Sequence, residues 1–479
     1  MIFNSFNFWL IFPFIFLIYW AIPCKQHKAK NMFLLMVSYL LYMNWNPSFA
    51  IVLLGVTIIC YLGSIYLEYQ QDIKRKRTLC WCFTILGILP LFVFKYYNFL
   101  NNSLIAVLDS LGLHFALPGL NWAVPIGISF FTFQAVGYLL DVYKQRVLAE
   151  KNFIDFALFV SFFPQVTSGP ISTAKELIPQ FKTPHTFSYE QGRDGLKMLL
   201  WGMFLKLAIA DRIGIYVDTV YSNYLHYSGS VCCLASIMYT IQIYCDFAGY
   251  SLMAIGIAKT LGFNLINNFN RPYLAASVTE FWKRWHISLT RWLTTHVYIN
   301  LGGNRCSKFR HYVNIMITFL VSGLWHGANW TFMIWGGLHG LFQIVEKALM
   351  GNKLKTELKN DIQKITLRRV LRIVVTFTLV SLAWIFFRMP TVEGAVDMIG
   401  KIIIDFGQLS IGPLDPISMV GIGIGLPILF AREIKEEYFP NRLLFLDNKM
   451  VKWAFYVLVA CFILAMGVLD AGQFIYVTF

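Results

Sequence analysis

The chain is 479 residues long, and 57% of them are hydrophobic against 14% charged. A soluble fold of this length cannot solvate that much apolar surface, so the composition excludes a soluble enzyme and specifies a polytopic membrane protein. The net charge of +15 does not signal nucleic-acid binding: Lys and Arg fall in short clusters between apolar runs, as the positive-inside rule expects of cytoplasmic loops.

In chain order, apolar runs near the roughly twenty residues a bilayer requires fall at 6–23, 31–44, 48–67, 79–100, 121–141, 153–170, 194–222, 231–257, 311–326, 329–347, 369–388, 416–431 and 451–470. Several are short or interrupted by Pro and Gly, which sets the expectation at about eleven to thirteen transmembrane helices. The first run ends in Cys24-Lys25-Gln26-His27-Lys28-Ala29-Lys30 rather than at a small-residue cleavage site, so it reads as a span and not a signal peptide. That basic cluster puts the loop inside and the N-terminus outside. Gln70–Arg77 and Asp141–Lys151 are inside by the same rule, while Asn101–Leu120, polar to weakly amphipathic and without Lys or Arg, is expected outside. Residues 161–185 are broken by Phe163-Pro164-Gln165, Ser168-Gly169-Pro170 and Pro179; such backbone is tolerated at membrane depth only inside protein or along a cavity. Residues 274–310 mix aromatic and basic residues and read as tilted or interfacial helices, closed by the turn Leu301-Gly302-Gly303-Asn304-Arg305. The nine cysteines have no metal or disulfide rhythm and read as packing residues. No soluble domain, repeat or long linker interrupts residues 1–479, which form a single polytopic domain.

An imidazole at membrane depth is costly to bury without a partner or a task, so the histidines carry the functional reading. His286 lies in Phe281-Trp282-Lys283-Arg284-Trp285-His286-Ile287-Ser288. On a continuous helix over 278–296, Glu280, Arg284, Ser288 and Arg291 form one polar stripe, with Glu280 and Arg284 spaced for an ion pair. His286 then falls beside Trp282, Leu289 and Leu293 and points into the protein; a core histidine bonded to a carbonyl is an equally weighted alternative. His326 closes the apolar run Ile315–Leu324 and precedes Gly327-Ala328, small residues that leave room for a substrate or for close backbone approach. Gly323 and Gly327 also form a small-xxx-small pair, whose plain reading is helix packing. His339 would lie about 20 Å from His326 on one straight helix and joins it only if the chain bends at Gly327–Trp330. Asp246, inside an apolar run, is a candidate to orient an imidazole or to accept from a tyrosine or backbone donor. Walker, dinucleotide, Gly-x-Ser-x-Gly and His-Glu-x-x-His motifs are absent. Catalysis must therefore use imidazole as the base, acting on a hydroxyl that attacks an activated acyl group.

A series of motifs then makes the chain recognisable. In order they are Pro125-Ile126-Gly127-Ile128-Ser129-Phe130-Phe131-Thr132-Phe133-Gln134, Phe162-Phe163-Pro164-Gln165 with Gly169-Pro170-Ile171, and Tyr244-x-Asp246-Phe247-x-Gly249-Tyr250-Ser251. Phe281-Trp282-x-Arg284-Trp285-His286-Ile287-Ser288-Leu289, Tyr298-Ile299-x-Leu301-Gly302-Gly303-Asn304-Arg305 and Leu324-Trp325-His326-Gly327-Ala328 complete it. Each is weak alone; the ordered set resembles the membrane-bound O-acyltransferase (MBOAT) family, in its alginate and peptidoglycan O-acetylase branch.

The resemblance implies an all-α fold with short re-entrant or interfacial helices around a central tunnel, and a catalytic core over 115–390. His326 matches the catalytic histidine of the family, and His286 the second polar position, which eukaryotic relatives fill with Asn. Trp325, Trp282, Arg284, Asp246, Asn304 and His339 are expected as substrate-binding residues. Thr294-Thr295, Asn300 and Leu252 depart from the branch pattern and bear on donor or partner contacts. The implied reaction moves acetyl from a cytoplasmic thioester, acetyl-CoA, to a glycan hydroxyl outside a bacterial inner membrane. Transfer is direct or passes through a periplasmic SGNH-type acetyltransferase; the thioester is a substrate, with no resident cofactor and no metal. In that reaction His326 is the base, and His286 either donates to the thioester carbonyl or guides the donor. Two rivals remain: D-alanyl or other acyl transfer, and a transporter or lipid flippase, which the lack of an internal repeat and of clustered midplane charge disfavours.

Overall fold

A computed structural model describes residue 3 and residues 6–114, 118–351, 365–440 and 448–468. Among these residues the regular structure is helical throughout, in agreement with the all-α expectation. Five helices are long and apolar enough to cross a bilayer: Pro47–Tyr69, Ile73–Ser110, Gly229–Thr260, Leu367–Arg388 and Pro416–Tyr438. Shorter apolar helices cover Asn7–Ala21, Ile128–Tyr143 and Met450–Met466. The chain divides into two compact units, residues 1–197 with 254–266, and residues 198–253 with 267–479.

In the first unit, side-chain caps set helix starts. Asn46 accepts from the Ser48 N–H ahead of Pro47, and Asp72 accepts from the Lys74 N–H. Two expectations change here. The helix begun at Ile73 passes the expected end of its span at residue 100 and runs on, through a π-helical turn at Phe92–Tyr96, as far as Ser110. That turn begins two residues after Pro90, which removes one helical donor and loosens the ladder. The run 153–170 is not a span: its helix stops at Ser161, and 163–168 are turns. Phe162, Pro164, Gln165 and Ser168 are nonetheless buried, as the proline-glycine pattern requires. Gly127, at φ 74°, seats this segment, since a Cβ there would lie 2.3 Å from the Val166 carbonyl oxygen.

The second unit holds the histidines. A π-helical turn, Phe204–Ala210, interrupts the expected span 194–222. Helices Lys308–His326 and Trp330–Met350 form an antiparallel hairpin, the second capped by Asn329. Backbones meet where glycines remove the Cβ: one on Gly323 would lie 2.3 Å from the Phe332 carbonyl oxygen, and one on Gly336 would lie 2.4 Å from that of Phe319. The packing reading of Gly323 therefore holds. The room expected beside Gly327 is filled by the Phe332 ring, which would stand 2.0 Å from a Cβ.

Candidate active site

The continuous helix expected over 278–296 does not form. Helix Val278–Arg284, capped by Ser277, is followed by a second helix, Ile287–Leu293. His286 stands between them in the left-handed region, at φ 42° and ψ 54°. The cause is a strand of tertiary hydrogen bonds that displaces the helical ladder. The Ile287 N–H donates to the Asn268 carbonyl at 2.9 Å, and the Asn270 N–H takes the Arg284 carbonyl at 2.9 Å. The Ser288 N–H and Oγ–H both donate to Asn268 Oδ1, at 3.1 and 2.9 Å.

This break redistributes the polar stripe. Ser288 joins His286 on Asn268, while Glu280 and Arg284 form the expected ion pair at 2.6 Å. That pair is internal, not turned to solvent or headgroups. Glu437 grips Arg284 with both oxygens, at 2.7 and 3.0 Å, and also accepts from Arg271 at 2.9 Å. Arg369 lies 3.5 Å from Glu437. Arg284 thus sits in a buried charge network.

His286 is 0% and His326 2% exposed. Their ring centroids are 6.4 Å apart, although forty positions of sequence (326 − 286) separate them. Trp325 lies 4.8 Å from His326 and 5.7 Å from His286, so it touches both rings. Phe247 presents an edge to His286 at 4.7 Å, and Trp335 and Phe387 flank His326 at 5.0 and 5.2 Å. Aromatic walls of this kind exclude water, so any polar contact made between the histidines acts in a low dielectric.

The bend at Gly327–Trp330 does occur. It folds Trp335 back onto His326, at 5.0 Å, and His339, one turn further along the same helix, packs on that indole, also at 5.0 Å. Trp282 donates its Nε1–H to His339 Nδ1 at 3.2 Å. An imidazole accepting at Nδ1 carries its own hydrogen on Nε2 when neutral. Trp282 and His339 thus form the layer behind Trp335. Asn304 is exposed on the turn after Gly303, away from this buried cluster.

Asp246 is held in a buried charge cluster. It pairs with Lys206 at 2.6 Å, as does Asp211 at 2.6 Å, and all three are buried. The cluster fixes the start of Asp211–Ser222 to the helix that carries Phe247, next to Asp246. Sequence reasoning missed Lys206 and Asn268. A lysine alone in the apolar run Phe204–Ala210 was a signal for the first, and four asparagines among residues 264–270 for the second.

A protein-family model, the MBOAT or membrane-bound O-acyltransferase family, matches residues 128–387. The chain belongs to this family. It is a multi-pass membrane acyltransferase. Among MBOAT relatives, it is 36% identical to the probable alginate O-acetylase AlgI of Pseudomonas aeruginosa over 434 residues, covering 90% of this chain and 80% of that one. It is 34% identical to a peptidoglycan O-acetyltransferase of Helicobacter pylori over 405 residues, 78% and 75% of the two chains. To a teichoic acid D-alanyltransferase of Bacillus subtilis it is 26% identical over 362 residues, 71% and 86% of the two. The MBOAT match contains His286, His326, His339, Trp282, Trp325, Arg284, Asp246 and Asn304.

Proposed function

We propose that this MBOAT chain moves an acetyl group from a cytoplasmic thioester, acetyl-CoA, to a hydroxyl of an exopolysaccharide or cell-wall glycan outside the inner membrane. The observation that carries the reading is the meeting of His286 and His326 in one buried aromatic site. A general base must lie within hydrogen-bond reach of the proton it takes, in surroundings that keep water from the thioester.

In the proposed step a ring nitrogen of His326 takes the proton of the acceptor hydroxyl. The oxygen bonds to the acyl carbon, the carbon–sulfur bond breaks, and the leaving thiolate recovers the proton from the imidazolium. The acceptor hydroxyl belongs to the glycan or to a periplasmic SGNH-type acetyltransferase that relays the acetyl group. Acetyl is favoured over D-alanyl because the relatives named O-acetylase or O-acetyltransferase are 33–36% identical, against 26–28% for those named D-alanyltransferase.

The test is His326→Ala in cells lacking the native gene, with glycan O-acetylation as the readout. A fall of about 10²–10⁴-fold is expected from loss of a general base. Unchanged acetylation at normal protein levels overturns the proposal. Consumption of a D-alanyl thioester instead of acetyl-CoA by the purified protein selects the other acyl group.

A further inference from the structure

We infer that Asn268 is a positioning residue that locks His286 into the Nδ1–H tautomer, so that His286 serves the acyl-transfer site through the Nε2 lone pair, as a hydrogen-bond acceptor. The inference rests on the reading of this site as the acyl-transfer centre and decides between the two roles that reading leaves to His286.

The oxygen and nitrogen of an Asn side chain are told apart only by their partners. Here the Ser288 backbone N–H, a group that can only donate, points at the Asn268 side-chain atom 3.1 Å away. That atom is therefore the oxygen. The Ser288 hydroxyl donates to it as well, at 2.9 Å. The Asn268 amide nitrogen faces Ser251 Oγ at 3.4 Å, which agrees with the same orientation.

His286 Nδ1 lies 3.2 Å from this oxygen. An oxygen that is an acceptor toward Ser288 has nothing to donate, so the hydrogen between the two residues belongs to Nδ1. A neutral imidazole carries one N–H; with it on Nδ1, Nε2 holds a lone pair. A neutral His286 in this state cannot donate to a thioester carbonyl. It can receive a hydrogen bond, either from the acceptor hydroxyl or from the amide N–H that a pantetheine thioester carries near its sulfur.

The arrangement is rigid. Asn268 and His286 are buried at 1% and 0% exposure, and Phe247 closes the edge of the ring at 4.7 Å. Ring centroids 6.4 Å apart are too distant for a direct bond between the imidazoles, for which the nitrogens must approach to about 3 Å. His286 and His326 thus divide the work: Asn268 fixes the tautomer of one, and the other remains to take the proton.

The test measures the tautomer directly. Nitrogen-15 spectra of the full-length protein, labelled at histidine and reconstituted in lipid, are recorded for the wild type and for His286→Ala, which identifies the His286 signals. A neutral Nδ1–H ring is expected, and a neutral Nε2–H ring overturns the inference. Asn268→Leu should abolish the tautomer preference and lower kcat/KM by about 10–100-fold, by analogy with losing the orienting partner of a metal-ligating histidine. Asn268→Asp, which keeps the accepting oxygen, should restore the Nδ1–H signature. A rise in the thioester KM assigns the pantetheine amide as the bonded group, whereas a rise in the acceptor KM assigns the hydroxyl. Wild-type kinetics in Asn268→Leu overturn the positioning role. The wild-type spectrum stands even if that variant does not fold. The spectrum also separates the two claims: an Nδ1–H ring with full acetylation in His326→Ala refutes the catalytic reading but not the tautomer.

Discussion

Gly323→Ala should damage catalysis three residues away from the group it disturbs. The added Cβ would stand 2.3 Å from the Phe332 carbonyl oxygen and 3.1 Å from its carbon, with the Gly336 Cα at 3.5 Å. The obstacle is backbone, so no rotamer change relieves it. Restoring an ordinary carbon–oxygen contact requires the hairpin to open by about 1 Å, at a cost of about 1–3 kcal/mol for overpacking. His326 ends the helix on which Gly323 sits, and its contacts with Trp335 cross the same hairpin. A displacement of about 1 Å at a catalytic group is worth about 10²-fold in rate. The matched control is Gly337→Ala on the partner helix, where a Cβ meets only Leu320 Cδ2 at 3.8 Å and helix propensity gains up to about 1 kcal/mol. Acetyl-transfer rate in membranes and melting temperature in detergent are measured for both variants. The reasoning is refuted if Gly323→Ala keeps wild-type kcat and melts no lower than Gly337→Ala.

Lys206→Met strands Asp211 and Asp246 as buried carboxylates and should cost about 3–5 kcal/mol, whereas Lys206→Met with Asp211→Asn and Asp246→Asn should regain much of that loss; denaturation midpoints in detergent check both. Glu437→Gln leaves Arg284, Arg271 and Arg369 around a neutral amide and should destabilise by a similar amount. The same midpoints, taken at low and high salt, should differ little, because buried ion pairs escape screening. Trp282→Phe keeps an aromatic six-membered ring but deletes the donor to His339 Nδ1 and leaves a small void. It should cost about 1–3 kcal/mol of stability and leave the acetyl-transfer rate within a few-fold of wild type, measured in membranes.

The membrane class, most helices and both principal histidines could be read from sequence because each depends on local chemistry. Hydrophobic runs report burial directly, and the Glu280–Arg284 pair follows from helical spacing. What could not be read depends on groups distant in sequence. The stripe Glu280, Arg284, Ser288, Arg291 assumed one unbroken helix, and nothing within 278–296 says that its ladder will be cut. The agent is Asn268, outside that window. Asp246 was similarly legible as a buried carboxylate but not as the partner of Lys206, since periodicity does not pair residues across helices. His339 joins His326 only if the chain bends, and the bend at Gly327–Trp330 sets it behind Trp335, the indole that packs on His326.

The left-handed backbone of His286 gives the break an energetic meaning. A non-glycine residue held there costs about 1–3 kcal/mol and persists only where surrounding structure over-determines it. Asn268 supplies that surrounding through four contacts: its carbonyl with the Ile287 N–H, and its side-chain oxygen with the Ser288 N–H, the Ser288 hydroxyl and His286 Nδ1. At about 1 kcal/mol for each hydrogen bond, the four together offset the strain. The residue that forces the chain to turn at His286 is thus the residue that sets the imidazole tautomer. On an uninterrupted helix the Ile287 and Ser288 N–H groups would face their own ladder, and Asn268 would have no way to hold the ring. The backbone turn and the ring's hydrogen-bond character thus share one anchor: the Asn268 carbonyl holds Ile287, and its side-chain oxygen holds Ser288 and the ring.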